Sequence, residues 1–251
     1  IGNSNVVIGC LDKDNNTVKQ FRMVTDLKKT EDEYAAGIQM ILQHNQVDCD
    51  AFEGAIICSV VPPLTEIFRA AVETLTGCNA LVVGTGIKTG LNIQVDTPSQ
   101  VGSDRIVIAV AALAEYTAPL FLMDLGTATT IEVVEPGNVY MGGVIIPGVK
   151  VAVDALTSRA ALLPGLQLNQ PKKAIGRNTI DCMRSGIMMG NAAMIDGMVE
   201  RMEAELGRKT TVIATGGIAK FVLPMCKKKI IYDKDLLVKG LATLYRENKR
   251  P

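Results

Sequence analysis

Asp104 and Arg105 stand side by side in VGSDR (Val101–Arg105), just ahead of the apolar run IVIAVAALA. An aspartate near a helix N-terminus complements the macrodipole, but an arginine in a first turn does not. The pair suits another purpose: a carboxylate that takes a hydroxyl proton beside a guanidinium that fixes the substrate's own negative charge, as at a phosphoryl acceptor site. Three glycine turns that follow or precede apolar runs supply a second chemistry: GNSN at Gly2–Asn5, DLGTATT at Asp124–Thr130 and TGG at Thr215–Gly217. Backbone N–H groups and hydroxyls in such turns suit phosphate oxygens, although one such turn alone is more often an ordinary bend. Asp124 adds a carboxylate at a strand end, where a ligand for a hard cation belongs. It can also cap its own turn by accepting from backbone N–H groups, and the two roles are compatible.

The elements that would carry these residues follow from patterning. VVIGCL, the turn cluster DKDNNT and the alternating VKQFRMV predict a β-hairpin. Thr30 and Glu33 form a T-x-x-E capping box ahead of a helix over EDEYAAGIQMILQ. AIICSVV reads as a buried strand ended by Pro62-Pro63, LTEIFRAAVETL as a helix, ALVVG as a short strand, and SQVGSDRIVIAVAALAEY as a helix with a polar start. At PLFLMDLGTATTIEVVEPGNVYMGG the opening pattern returns, and DLGTATTIEVV aligns with ?IGNSNVVIGCL. One aligned pair of hairpins thus indicates an internal repeat of about 115–120 residues, a size that suggests two similar α/β domains. We place the boundary at 1–117 and 118–251, with MRSGIMMGNAAMIDGMVERMEAEL, TVIATGG and LLVKGLATLYREN as helix, strand and helix of the second. The same alignment predicts an aspartate immediately before Ile1, in the position of Asp124.

Composition bounds the function. The 251 residues carry 26 basic and 26 acidic side chains, with no basic excess or stripe of the kind that marks nucleic-acid binders. Six cysteines without a C-x-x-C pair and a single histidine, His44, make a zinc site or a histidine-based triad improbable. Cysteines in apolar settings such as AIICSVV read as reduced, which points to the cytoplasm. No segment approaches the roughly 20 apolar residues that span a bilayer. GTGIKTG at Gly84–Gly90 has its third glycine one place too late for a dinucleotide fingerprint and reads as a loop. No G-x-x-x-x-G-K-[ST] occurs. Met194, Met198 and Met202 form a helical stripe expected in a core or a subunit interface.

With these segments assembled, the chain resembles the type III pantothenate kinase family, of the acetate and sugar kinase/heat-shock/actin superfamily. The resemblance covers essentially the whole chain through GNSN, TDLKKTEDEY, SVVPPLT, GIKTGLNI, DTPSQVGSDR, DLGTATT, GGVIIPG, AIGRNT, SGIMMGNA and TGG. It implies ATP-dependent phosphorylation of pantothenate, the first committed step towards coenzyme A. The implied fold is α/β, with two ribonuclease-H-like (actin-like ATPase) domains related by internal duplication, a nucleotide between them and a homodimeric assembly. By the same resemblance Gly2, Asn3, Ser4, Asn5, Val6, Val7 and Thr127 contact ATP phosphates. Asp124 holds a monovalent cation, potassium or ammonium. Gly102, Ser103, Asp104 and Arg105 line the pantothenate pocket with Asp104 as general base, Thr179 reaches pantothenate across the dimer interface, and Thr215–Gly217 lie near the adenosine. A Mg²⁺ ion is expected to bridge the ATP phosphates.

The sequence departs from the family pattern at Val95, where a tyrosine is usual, and mildly at Ser103 and Ser4, where alanine and threonine are common. The Val95 departure leaves room for a non-enzymatic regulatory protein on the same fold; another kinase or phosphatase of the superfamily is a third alternative. Retention of Asp104 and Asp124 and the missing basic patch favour the kinase.

Overall fold

NVVIGCL and TVKQFRMV pair as their alternation requires. In the computed structural model, which describes residues 1–14 and 16–249, β1 (Asn5–Leu11) runs antiparallel to β2 (Thr17–Val24), with Val6 opposite Met23. The connecting turn is held by Asp12, whose carboxylate accepts from the backbone N–H groups of Asp14 and Asn16 at 2.9 Å each; Asn15, in the same turn cluster, lies outside the described residues. Helix α1 (Glu31–His44) starts with the expected capping box, Thr30 and Glu33 satisfying each other's backbone N–H groups. Its apolar stripe buries Tyr34, Ile38 and Leu42.

Strand β3 (Ala55–Ile57) stops earlier than AIICSVV suggests. The Ser59 side chain takes over the local backbone, accepting from Val61 N–H at 3.1 Å and donating to Val61 C=O at 3.2 Å, a side-chain turn that competes with strand pairing. Helix α2 (Pro62–Thr76) begins at once with proline, which is preorganised for a first turn, and ends at Gly77 in the left-handed region with φ +66°. Strand β4 (Ala80–Val82) pairs parallel to β3. GTGIKTG follows as a loop, as expected, and β5 (Asn92–Ile93) precedes α3 (Ser103–Glu115).

The remaining elements are β6 (Leu120–Leu125), β7 (Ala128–Glu135), β8 (Val139–Pro147), α4 (Val149–Arg159), α5 (Thr179–Leu206), β9 (Thr211–Thr215), α6 (Ala219–Val222), β10 (Ile231–Tyr232) and α7 (Leu236–Asn248). Sequence patterning does not mark α4, α6, β5 or β10. The chain forms two compact units, and neither is a continuous half of it. The first comprises Ile1–Gly90, Ser99–Ala111 and the residues from Leu237 onward; the second comprises Leu91–Pro98 and Ala112–Leu236.

The first unit buries Val6, Tyr34, Ile38, Leu64 and Phe68 in one cluster, with the Tyr34 and Phe68 rings 4.2 Å apart between centroids. Each fully buried large side chain contributes on the order of 2 kcal/mol. Helix α7 packs closely here because it carries Gly240: a Cβ at that position would lie 2.2 Å from the Val107 carbonyl of α3. Asn248 near its end brackets the Lys88 backbone, accepting from its N–H at 2.8 Å and donating to its C=O at 2.9 Å.

The second unit is built on a six-stranded sheet in the order β10-β9-β6-β7-β8-β5. One face packs Phe121, Met123, Leu125, Ile131 and Val133 against Met188, Ala192, Ile195 and Val199 of α5. Met194, Met198 and Met202 pack against the same cluster, so the stripe is core. Near the end of α5, Glu203 is only 7% exposed and accepts from Lys209 Nζ at 2.7 Å, Lys228 Nζ at 3.0 Å and Thr210 N–H at 3.3 Å. Burial alone would raise its pKa, but the two ammonium groups and the amide outweigh that and hold the carboxyl below its ordinary value. A depressed carboxylate stabilises the fold above the unfolded pKa and loses that contribution as pH falls through the folded value. Glu203→Gln should therefore cost about 2 kcal/mol in urea unfolding at pH 7. The difference from the parent should shrink below about pH 4, and an equal cost at pH 3 and pH 7 would show that charge is not its source.

Candidate active site

In the first unit three chain segments converge: the start of β1, the end of β3 and the start of α3. The Gly2–Asn5 turn is tight, with Gly2 N–H donating to Asn5 C=O at 3.0 Å. Thr25, just after β2, closes it, its hydroxyl donating to Gly2 C=O at 2.6 Å and its N–H to Ser4 C=O at 3.2 Å. Asn3, Ser4 and Asn5 are exposed on this turn, whereas the Val6 side chain is buried in the core, which leaves only its backbone for a ligand. Val60 N–H donates to Ile1 C=O at 3.0 Å, tying the turn to the segment after β3.

Helix α3 is fixed to that same segment through Ser103. Its hydroxyl donates to Ser59 C=O at 2.9 Å and accepts from the Cys58 thiol at 3.2 Å. Burial pushes the Cys58 thiol up to about 11, with the Ser103 hydrogen bond opposing only in part, so the sulfur stays a donor at neutral pH. Ser103, expected to line a substrate pocket, thus commits its side chain to holding the helix start. The next residue, Asp104, folds over Gly102, where a Cβ would lie 2.6 Å from Asp104 Oδ1, and the same oxygen accepts from Arg105 N–H at 2.8 Å. Asp104 and Arg105 are both half-buried in the first turn of α3.

In the second unit Asp124 is the penultimate residue of the central strand β6. It lies opposite Thr130 of β7 and beside Thr215 of β9, so a carboxylate and two threonines share one face at the carboxyl end of β6 and β9, where ligands of α/β sheets bind. A two-residue turn, Gly126-Thr127, joins β6 to β7, with Gly126 N–H donating to Ala128 C=O at 2.9 Å and Thr127 exposed at its tip. Gly148, after β8, presses on this turn: its N–H donates to Thr127 C=O at 3.1 Å, and a Cβ there would meet that oxygen at 2.3 Å.

Gly216 makes the other close approach. At φ +99° its Cβ position would lie 2.6 Å from Asp124 Oδ1, 2.6 Å from the Leu125 carbonyl oxygen and 2.7 Å from the Leu125 carbonyl carbon, a tight cradle beside the carboxylate that any side chain would fill. A carboxylate oxygen and one backbone carbonyl oxygen are donors of the type a hard cation takes. Among the described residues no group of three or more histidines, cysteines or acids could hold a metal ion. Beyond Gly217 a cavity of about 390 Å³ is lined by Val153, Leu166, Leu168, Ile218 and Phe221, with Lys150, Asp154 and Gln167 as its polar members. Thr179 is the exposed first residue of α5, behind the N-cap Asn178, whose side chain accepts from Asp181 N–H at 2.9 Å. The sequence reading missed Gly148, Thr215 as a flank of Asp124, and the Cys58–Ser103 bond. GGVIIPG was an available signal for the first; the others are pairings between distant strands and loops.

Two solved structures define the class. A protein described as a Baf family transcriptional activator from Campylobacter jejuni superposes with a TM-score of 0.58, at 19% identity and 92% coverage of each chain. One described as a 2-dehydro-3-deoxygalactonokinase from Sinorhizobium meliloti also gives 0.58, at 9% identity, covering 98% of this chain and 94% of that one. Such likeness shows the fold alone, a mixed α/β fold, in line with the α/β fold class that the sequence resemblance implied. The model of the type III pantothenate kinase family matches residues 1–201. The type III pantothenate kinase of Bacillus cytotoxicus is 42% identical over 248 residues, 99% of this chain and 94% of its own. The chain belongs to the type III pantothenate kinase family.

Gly216 offers a direct test of the Asp124 cradle. Gly216→Ala should destabilise the fold by about 1–2 kcal/mol from its backbone conformation alone. It should also lower kinase turnover at least about tenfold, since the new methyl group occupies space beside the carboxylate. Denaturation and turnover measured together check this; an alanine that leaves both unchanged would place the cradle elsewhere.

Proposed function

We propose that this pantothenate kinase uses Asp104 as its general base and Arg105 to fix the substrate carboxylate. Pantothenate supplies the chemistry that this pair suits, a primary hydroxyl and a carboxylate on one small molecule. The observation that carries the reading is the anchoring of α3: Ser103, Cys58 and Ser59 hold the helix start, so the residues that follow it are presented in one orientation. The reaction is ATP-dependent phosphorylation to 4'-phosphopantothenate in coenzyme A biosynthesis, the activity of the family. The phosphoryl transition state is loose, so positioning and charge neutralisation contribute more than a strong base does.

The nucleotide roles follow the turns. Gly2–Val7 and the Thr127 turn offer backbone N–H groups and small polar side chains to the phosphates, and the cavity beside Gly217 suits the adenosine with its apolar walls. Asp124 and Leu125 C=O are suited to a monovalent cation, potassium or ammonium, and Mg²⁺ on the ATP phosphates would neutralise charge on the transferred group. The two aligned hairpins support a duplication with its boundary at 117–118. Six free cysteines fit a reducing compartment, the cytoplasm. No helix among the described residues is long and apolar enough to cross a membrane. A regulatory reading gains nothing from the Campylobacter jejuni structure, whose likeness at 19% identity is one of fold.

Homodimer formation is supported by exposed apolar side chains in the second unit, including Met141, Ile145, Val151, Leu156, Leu162 and Ile175. Such exposed apolar side chains would supply the contact surface of a dimer, and a partner copy could bring Thr179 to the substrate. Sedimentation should report a dimer that the double substitution Leu162→Asp, Ile175→Asp converts to monomer; a monomeric parent would refute the assembly. For the chemistry, pantothenate-dependent ATP consumption is the assay. Asp104→Asn should lower kcat by about 10²–10⁴-fold while ATP affinity stays near that of the parent. Turnover within threefold of the parent, on the order of what a non-catalytic surface change produces, would remove Asp104 from the base role.

A further inference from the structure

Glu132 lies in the centre of the six-stranded sheet with 2% of its surface exposed, a setting in which a carboxylate is unfavourable unless it is hydrogen-bonded. The fully buried Tyr140 supplies one such bond, its hydroxyl donating to Glu132 Oε2. An irregularity in β8 aims the phenol. Val133 pairs with Gly142 but Val134 pairs with Tyr140, so Met141 is an extra residue on β8. This is a β-bulge, a device that redirects neighbouring side chains and recurs beside active sites. Gly142 takes φ +101° at the bulge, with Val95 packed over it, 3.4 Å from where a Cβ would stand.

Register decides what Glu132 faces. Ile131 and Val133 on either side of it point into the apolar core with α5, so Glu132 lies on the other face of the sheet. Asp124 and its partner Thr130 share that face. Glu132 is two residues beyond Thr130 on the same strand and is therefore the diagonal neighbour of Asp124, about 7–8 Å away between Cα atoms. Two carboxylates this close on a partly buried surface sense each other's charge far more than they would in water. A cation at the first relieves the repulsion and is held more firmly for it.

We propose that Glu132 is a positioning residue for the monovalent cation at Asp124. Held in place by Tyr140, it adds negative potential beneath the oxygen cradle at Gly216 without touching the ion. This rests on the reading of Asp124 as the cation ligand, and the experiment separates the two. Parent, Glu132→Gln and Tyr140→Phe proteins are titrated with KCl at constant ionic strength. Two quantities are read: the half-saturating K⁺ for pantothenate-dependent turnover, and the K⁺-induced rise in melting temperature with Mg²⁺ and a non-hydrolysable ATP analogue bound. Groups behind metal ligands typically alter affinity by 10–100-fold, so Glu132→Gln should raise half-saturating K⁺ about tenfold. It should also reduce the K⁺-induced thermal shift, and turnover at saturating K⁺ should stay within about threefold of the parent. Tyr140→Phe keeps the carboxylate but releases it, and should shift half-saturation in the same direction by at least about threefold. If Glu132→Gln does not fold, Tyr140→Phe alone decides, and an unchanged half-saturation overturns the proposal. A parent that responds to K⁺ and a folded Glu132→Gln that responds at the same concentration leave Asp124 in its role and refute the part given to Glu132. A parent indifferent to K⁺ in both readouts overturns the Asp124 reading and this proposal with it.

Discussion

Strand β6 is hydrogen-bonded on both edges, antiparallel to β7 and parallel to β9, and the site in the second unit depends on that register. Residues alternate faces along a strand, so a slip of one would move Asp124 into the apolar core and bring Met123 and Leu125 to the ligand side. The core prevents the slip. Phe121, Met123 and Leu125 are matched to the α5 surface, and exposing three such side chains would cost several kcal/mol. The apolar half of the strand thus locates the carboxylate, with the threonines of the two neighbouring strands carried along in the same row.

Asp104 is placed by different means. It lies at a helix start rather than in a sheet, where backbone pairing cannot fix orientation, and side-chain bonds take over that task. Ser103 reaches Cys58 and Ser59 at the end of β3, the point at which Ser59 and Pro62 have already stopped the strand. The early end of β3 therefore has a consequence: it frees the carbonyl of Ser59 and the thiol of Cys58 for α3. Asp124 and Asp104 are thus positioned by opposite strategies, one by a ladder bonded on both sides and one by a knot of small polar side chains.

Much of this was legible in the sequence where the determinants were local. The capping box at Thr30 and Glu33, the proline start of α2, the hairpins at the ends of β1 and β6 and the loop at GTGIKTG all follow from residues within a few positions of one another. The glycine turns at Gly2–Asn5 and Gly126-Thr127 are legible for the same reason. What escaped was non-local. Helix α4 buries only Val149 and Val153, too thin a stripe for periodicity to register. The bond from Tyr140 to Glu132 needs the bulge at Met141, and the Cys58–Ser103 bond joins residues 45 apart. No pattern in the sequence distinguishes a buried glutamate in IEVVE from a solvated one until the strands are paired.

The division of the chain into units also bears on its synthesis. Val238 lies against Gly9, and Gly240 against Val107, so the unit that begins the chain is completed by the helix that ends it. Domains that form during translation ordinarily do so from the N-terminus onward. Here the order is reversed, because the second unit has all its strands in hand while the first still lacks α7. The nascent first unit must leave the place of α7 unfilled until that helix emerges from the ribosome, so β1 gains its contact with Val238 at Gly9 late.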